Sequence, residues 1–356
     1  MIRRFDADVI VLGLGPAGAS AAAEAARRGC RVLAFDRKRE PGRPVQCAEF
    51  VPAMISLDVE CVRRTACQPI RAMMTRIEDG ASCARKQFPG WMLERADFDA
   101  ALVDDAIRAG AKCRFRARAR RVALSGTVQL SGGELFSGRV IIGADGPRSL
   151  VGRAMGQANT EFVHTRQVTV PLNHAHDATD IFLSSGIRGG YAWLFPKRDT
   201  ANLGAGVAPA HTRDLKRIVA SLHEALAETG RVGRQAGRLT GGPIPVGGMR
   251  ECAERFGAVL LLLAGDAGGL ANPITGAGIA AAVLSGRLAG EAAAAWVAGA
   301  PDAGARYREE LETLLKPSLE RAVRRRRELA ARWATGTLSA GNLRRGWIAY
   351  PEYWAA

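Results

Sequence analysis

The stretch "ADVIVLGLGPAGASAAAEAARRGCRVLAFDR", Ala7 to Arg37, restricts this chain more than any other. Val9 to Leu12 form a short apolar, β-favouring run, and Gly13-x-Gly15-x-x-Gly18 follows at once. The next segment is alanine-rich and ends at Gly29, as a helix closed by a C-terminal glycine would. Val32 to Phe35 read as a second strand that ends at Asp36. Strand, glycine turn, helix and strand in this order point to an α/β protein with a Rossmann-like domain.

Each residue type in the unit has a physical reason. The first glycine permits a tight turn, the second lets the backbone approach a pyrophosphate, and the third allows close packing of helix on strand. The helix N-terminus aims unpaired N–H groups at the phosphates. Asp36 stands eighteen residues after Gly18, where a carboxylate accepts from ribose hydroxyls and favours FAD or NAD over NADP. The cofactor-binding residues of this unit are therefore Gly13, Gly15, Pro16, Ala17, Gly18, Asp36 and Arg37.

Three later stretches bear on which dinucleotide is bound. "LERADFDAALVDDAIRAGAKCRF" (Leu93 to Phe115) reads as an amphipathic helix with Arg95 just before its start. "VIIGADGPRSLVGRAMG" (Val140 to Gly156) is a strand running into Asp145-Gly146. "LLLLAGDAGGLANPITGAGIAAAVLSGRLAGEAAA", from Leu260, is a buried strand, then Gly265-Asp266, a loop with Pro273, and Gly276-Ala277-Gly278 opening a long alanine-rich helix. With the first unit, these stretches resemble the p-hydroxybenzoate hydroxylase-type flavoproteins over roughly residues 7 to 295. The resemblance implies FAD. It implies that Arg95 reaches the phosphates, Asp145-Gly146 closes on the cofactor and Asp266 contacts the ribityl chain. It also places Pro273, Gly276, Gly278 and Ile279 at the pyrimidine edge of the flavin. A helix N-terminus carries about half a positive charge, and beside that edge it favours the anionic reduced flavin.

"EPGRPVQCAEFVP" (Glu40 to Pro52) and "GGYAWLFPKRDTANLGAGV" (Gly189 to Val207) look like the geranylgeranyl reductase branch of these flavoproteins. That branch carries a cysteine after a Pro-rich loop and a Tyr-x-Trp-x-Phe-Pro run ending in Gly-x-Gly. Here Tyr191, Trp193, Phe195 and Pro196 are followed by Gly204 and Gly206. Two departures are Ala48, where the branch has glycine after the cysteine, and a short chain after the flavin helix. The chain is only 6% aromatic, yet three aromatic residues share one face of a strand. By resemblance, Tyr191, Trp193 and Phe195 line a substrate pocket; sheet-on-sheet packing is the other reading. Cys47 is read as a flavin-proximal catalytic thiol or as a small buried residue.

The resemblance implies a discontinuous FAD-binding domain (1–70, 93–155 and 250–300). A substrate domain of antiparallel sheet (71–92 and 156–249) and a basic helical C-terminal segment (301–356) complete the chain. It implies a reductase that transfers hydride from reduced FAD to C=C bonds of an apolar, isoprenoid substrate. A monooxygenase acting on an aromatic ring is the alternative. No second glycine fingerprint stands in a strand–helix context, so NAD(P)H binds transiently or a protein reductase supplies electrons.

The net charge is +15, and Lys316 to Arg345 carry nine Lys/Arg against two Glu. Trp333, Trp347 and Trp354 follow or interrupt this run. Such a segment suits a membrane surface or an acidic protein partner, or a solvated helix whose tryptophans pack back on the domain. Pro317 allows a break in it. Nucleic acid is not expected, because no binding motif accompanies the charge. Seven scattered cysteines without a CxxC fit a reducing cytoplasm and neither metal nor disulfide framework. His174 and His176 lack a third ligand at a metal spacing, so no metal is expected. The leader-like start "MIRRFDADVIVLGLG" is absorbed by the glycine motif. No apolar run approaches the ~18–20 residues of a membrane span.

Overall fold

The computed structural model describes residues 5–53, 60–78, 80 and 82–355; Met1 to Arg4 of the leader-like start lie outside them. Five parallel strands form the first layer, in the order Val259–Leu263, Leu135–Gly143, Ala7–Leu12, Val32–Phe35 and Lys112–Arg114. The inner strands read as continuous apolar runs because both of their faces are buried. In register, Val9 lies between Val32 and Val140. Ala253–Phe256 adds antiparallel to one edge. The unit expected at the N-terminus is present: the strand, a helix over Pro16–Arg27 with Gly29 at φ +84° beyond its end, and the second strand Val32–Phe35.

The long helix Ile279–Val297 packs across Pro16–Arg27. Gly286 and Gly290, one turn apart, make the close approach: a Cβ on Gly286 would stand 2.1 Å from the Ala17 carbonyl oxygen. A larger residue there would push the glycine loop off the helix that follows Asp266.

The second sheet has seven strands. Their order is Pro243–Pro245, Phe162–Pro171, Thr200–Val207, Ala192–Lys197, Ala178–Leu183, Ala72–Ile77 and Cys83–Arg85. Helix Leu215–Glu228 covers one face, where Ala192, Leu194 and Leu203 are buried. The opposite face carries Trp193, Phe195, Ile181 and Met73, packed with Leu343 and Trp347 from the C-terminal segment. A small sheet of Phe50–Pro52, Gly90–Leu93 and Ala66–Ile70 stands beside the two layers.

Pro317 does not break its helix: Ala303–Thr335 runs through it for 33 residues. Pro317 lies on the exposed side, where water can serve the carbonyl that loses its N–H partner. Near the start of this helix, the buried Tyr307 hydroxyl donates to the Leu263 carbonyl at 2.7 Å. That bond ties the helix to the strand that delivers Asp266. Among the described residues, no helix is long and apolar enough to cross a membrane.

Candidate functional site

The glycine loop begins where the first strand ends. Gly13 sits at φ +92°, and a Cβ on it would meet the Ala144 oxygen at 2.3 Å. At Gly18 a Cβ would meet the Gly13 oxygen at 1.8 Å, so the third glycine packs on its own loop as well as on the neighbouring strand. Gly15 differs, because a Cβ there would meet nothing within 4 Å. Only a ligand gives a reason for glycine at that position, and the open space at a helix N-terminus fits a pyrophosphate. Pro16 is the first helical residue, where its missing N–H costs nothing, and Ala17 is buried against Gly265 and Gly286.

Asp36 is buried and already holds the loop. It accepts from the Leu14 and Lys38 amides at 2.7 Å each. A carboxylate has about four acceptor sites, so capacity remains for a ribose hydroxyl. Arg37 points to the exposed side.

Asp145 and Asp266 end the next two parallel strands. Asp145 accepts from the Leu150 amide at 2.7 Å, and its Oδ1 is buried with no partner among the described residues. Burial raises its pKa against the opposing pull of the Ser149 and Leu150 bonds. Burial also pushes Asp266 up to about 6, although Arg95 pulls the other way. A Cβ on Gly278 would stand 3.3 Å from Asp266 Oδ1, so glycine there makes room for the carboxylate. Gly276 sits at φ +70° and Pro273 is buried. Helix Ile279–Val297 starts with no side-chain cap and no acid in its first turn, which leaves its N-terminus free to face an anion. An orphaned acceptor, open space around Gly15 and an uncapped helix end together fit FAD.

Sequence reasoning missed Asn159. Its Nδ2 donates to the Pro147 oxygen at 3.1 Å and to the Asp266 oxygen at 2.9 Å, which locks the two acidic loops together. A lone asparagine in a coil carries no spacing signal.

Arg95 is the first residue of helix Arg95–Arg108 rather than the residue before it. Its guanidinium forks onto Asp99 with bonds of 3.0 and 3.1 Å, with Cys47 close beside it. Burial opposes the Arg95 charge, but Cys47 and Asp99 outweigh it and raise the pKa. Cys47 thus lies next to a residue the cofactor reading needs.

Glu49 was only a flank of Cys47 in the sequence, yet it is the hub here. It is 4% exposed and holds φ +71°, a conformation most side chains avoid. Its carboxylate accepts from the Arg95 amide at 3.0 Å, Lys197 Nζ at 2.9 Å and Asn202 Nδ2 at 2.8 Å. Its own amide donates to Cys47 Sγ at 3.2 Å, and Gln167 Nε2 holds the Cys47 carbonyl at 2.7 Å. The Cys47 loop is therefore pinned to both the second sheet and the Arg95 helix.

The three aromatic residues do form a row. Ring centroids are 5.7 Å apart for Tyr191 and Trp193, and 6.3 Å apart for Trp193 and Phe195. Trp193 and Phe195 are buried in the cluster, whereas Tyr191 lines a narrow crevice of about 90 Å³. The Tyr191 hydroxyl donates to the Thr275 carbonyl at 2.6 Å, joining the row to the loop before the flavin helix. Gly204 is required by Trp193, since a Cβ there would lie 2.4 Å from Trp193 Cζ2.

The C-terminal segment closes over this row. Trp347 is 4.7 Å from the Tyr191 ring and buried, and Trp333 donates to the Ser185 carbonyl at 3.0 Å. Two arginines of the basic run turn inward. Arg325 is fully buried against the Tyr353 and Ala355 carbonyls, and Arg326 bonds the Gly189 and Pro273 carbonyls. His176 meets Asp180 at 3.1 Å and Arg231 at 2.7 Å, an arrangement of a polar cluster.

Residues 162–240 match the geranylgeranyl reductase catalytic domain. The chain is 34% identical over 343 residues to a digeranylgeranylglycerophospholipid reductase of Methanocella arvoryzae, covering 88% of this chain and 85% of that one. It is 33% identical to digeranylgeranylglycerophospholipid reductase 2 of Methanopyrus kandleri, covering 81% and 76%. Its structure is similar to a geranylgeranyl bacteriochlorophyll reductase-like protein from Thermoplasma acidophilum, with TM-score 0.79, 26% identity and coverage of 91% and 87%. Pseudomonas aeruginosa PqsL in complex with 2-aminobenzoylacetate shares the fold at TM-score 0.70 and 21% identity, covering 93% and 99%. This chain belongs to the geranylgeranyl reductase family of flavin-dependent oxidoreductases.

Proposed function

We propose that this protein reduces C=C bonds of an isoprenoid lipid. One observation carries the reading: the aromatic row is fastened by Tyr191 to the Thr275 carbonyl, beside an apolar crevice and next to the loop that opens the flavin helix. When bound, reduced FAD supplies the hydride. Asp36, Asp145 and the glycine loop would hold the cofactor, and Arg95 would face its phosphates. Tyr191 would orient an apolar chain and exclude water, with Trp193 and Phe195 packed behind it. Cys47 would hold or relay the proton that completes the reduction. Names of the relatives support this substrate class. Electrons would come from NAD(P)H bound transiently or from a protein reductase. The outward Arg321, Arg324 and Trp354, the last 51% exposed with Arg321 5.3 Å over its ring, suit an anionic membrane surface, which vesicle co-sedimentation would test.

The deciding experiment mixes photoreduced, oxygen-free enzyme with a geranylgeranyl lipid. Reoxidation of the flavin together with a product two hydrogens heavier is expected. Flavin that stays reduced until oxygen enters, followed by hydroxylation of an added aromatic compound, would instead support a monooxygenase.

A further inference from the structure

The inner face of the seven-stranded sheet is covered, and the cover leaves polar atoms stranded. Met73, Thr75 and Ile77 alternate onto that face, as do Thr179 and Ile181 on the next strand. In register, Thr75, Ile181 and Trp193 stand side by side. Helix Ala340–Arg345 packs over strand Ala72–Ile77, and Leu343 and Trp347 join the cluster of Trp193 and Phe195. Thr75 Oγ1, Thr179 Oγ1, Trp193 Nε1 and Trp347 Nε1 are buried with no hydrogen-bond partner among the described residues. Water would serve each of them if the cover were lifted, so the covered state carries a cost that opening relieves.

The free volume points the same way. The crevice beside Tyr191 holds about 90 Å³, against the roughly 300–1,000 Å³ of pockets that enclose organic ligands. A long apolar chain cannot lie along Tyr191 while Trp347 stands 4.7 Å from its ring. On the outer flank of the cover is an open cleft of about 600 Å³, lined by Ala340, Arg344 and Tyr350 and by Ile77 and Cys83. Ile77 also belongs to the covered cluster, so this cleft leads to the inner face.

The cover can move as a unit. It starts at Gly336, which is exposed and ends helix Ala303–Thr335 at φ +66°; glycine takes up other backbone angles readily, as a hinge requires. The capping box of Ser339 and Asn342 holds the short helix together. At the far end the buried Arg325 grips the Tyr353 and Ala355 carbonyls, so both ends are anchored on the long helix. Between these anchors Arg85 Nη1 donates to the Ile348 carbonyl at 2.6 Å, a polar tie to the sheet. We propose that residues 337–350 form a strap that lifts off the inner face to admit an apolar chain, and that Trp347 is the side chain that must leave Tyr191. The strap takes its ligand from the reductase reading, but its test follows binding and needs no turnover.

Oxidised holoenzyme is mixed by stopped flow with geranylgeraniol or farnesol in one detergent, and tryptophan fluorescence is followed. In the wild type the observed rate should level off as lipid rises, at a value shared by the two alcohols, because opening precedes binding. Trp347→Ala should raise that plateau at least ~10-fold, since the lost ring no longer holds the strap on Tyr191. Arg85→Met cuts the tie without touching the crevice and should raise the plateau about 5-fold; it decides the matter if Trp347→Ala does not fold. A wild-type rate that rises linearly throughout, or a plateau that neither variant moves, overturns the strap. Lipid that binds with the expected plateau but is not reduced by photoreduced enzyme ends the reductase reading and leaves the strap standing. A wild type that binds neither alcohol overturns both.

Discussion

The glycine loop and the aromatic strand are both sequence motifs, but opposite means hold them. In the loop the determinants are backbone. Gly13 needs φ +92°, and Gly13 and Gly18 leave no room for a Cβ. In the strand the determinants are side chains from elsewhere: Trp347 on Tyr191, Gly204 under Trp193, and Glu49 on Lys197 at the strand end. A motif of the first kind answers to backbone, its own and that of the strand end at Ala144. A motif of the second kind borrows its reason largely from side chains such as Trp347 and Glu49, far off in the chain, so its residue types are visible long before its role is.

Substitutions inside the loop give the largest expected effects and separate its two functions. Gly18→Ala should unfold the domain, because a Cβ 1.8 Å from a carbonyl oxygen exceeds the ~1–3 kcal/mol of ordinary overpacking. Gly15→Val should keep the fold, since its extended backbone accepts valine and the space is open, yet lose the flavin altogether. The ratio of flavin to protein absorbance and the melting temperature report the two outcomes separately. A Gly15→Val protein with a full flavin spectrum would refute the pyrophosphate cradle.

Trp193→Ala should reverse the pattern. It keeps flavin, loses roughly 3–5 kcal/mol of stability, and drops turnover at least ~10-fold. Because that stability loss can itself blur activity, Trp193→Phe is the companion variant. Turnover unchanged in both would reduce the row to core packing and erase the contrast with Tyr191, which lines the crevice.

This contrast also explains what the sequence made legible. The βαβ unit, Asp145, Asp266 and the alanine-rich helix are visible because strand-end acids and glycines answer to local geometry. The aromatic row is visible as a row, but its cover is not. Nothing in "RRRR" distinguishes Arg325, sealed against Tyr353, from Arg324, which faces solvent. Counting charges in the basic tail does not tell which of them the fold consumes. Glu49 escaped notice for the same reason: its three partners, Arg95, Lys197 and Asn202, are distant in the chain.

Glu49 joins the two regions and so sharpens the comparison. In Glu49→Gln, the Lys197 ammonium and an amide N–H would compete for the same acceptors. The expected cost is about 2 kcal/mol, in the range for a hydrogen bond to a charged group, moderated by Glu94, which also holds Lys197 at 2.8 Å. Flavin content should survive while kcat falls more than KM rises, because Cys47 and the strand end lose their common anchor. A variant in which KM alone changes would make Glu49 a part of substrate binding instead.

The smallest effect should come from Asp266, where the flavin loop meets the flavin helix. Its carboxyl is pushed from 3.8 to about 6 by burial. In flavin-free protein the unfolded chain releases this proton near 3.8 and the native state only near 6. Between those values the native state holds more protons, so stability falls as pH rises through the window and stays low above it. Asp266 is partly exposed, which reduces the full linkage to roughly 1–2 kcal/mol. Asp266→Asn removes the ionisation. The flavin-free variant should match the wild type near pH 4 and melt higher at pH 7, while binding flavin more weakly. An equal gain at both pH values would mean that packing, not the buried charge, sets the cost, and Asp266 would then belong with the side-chain-held strand rather than with the backbone-held loop.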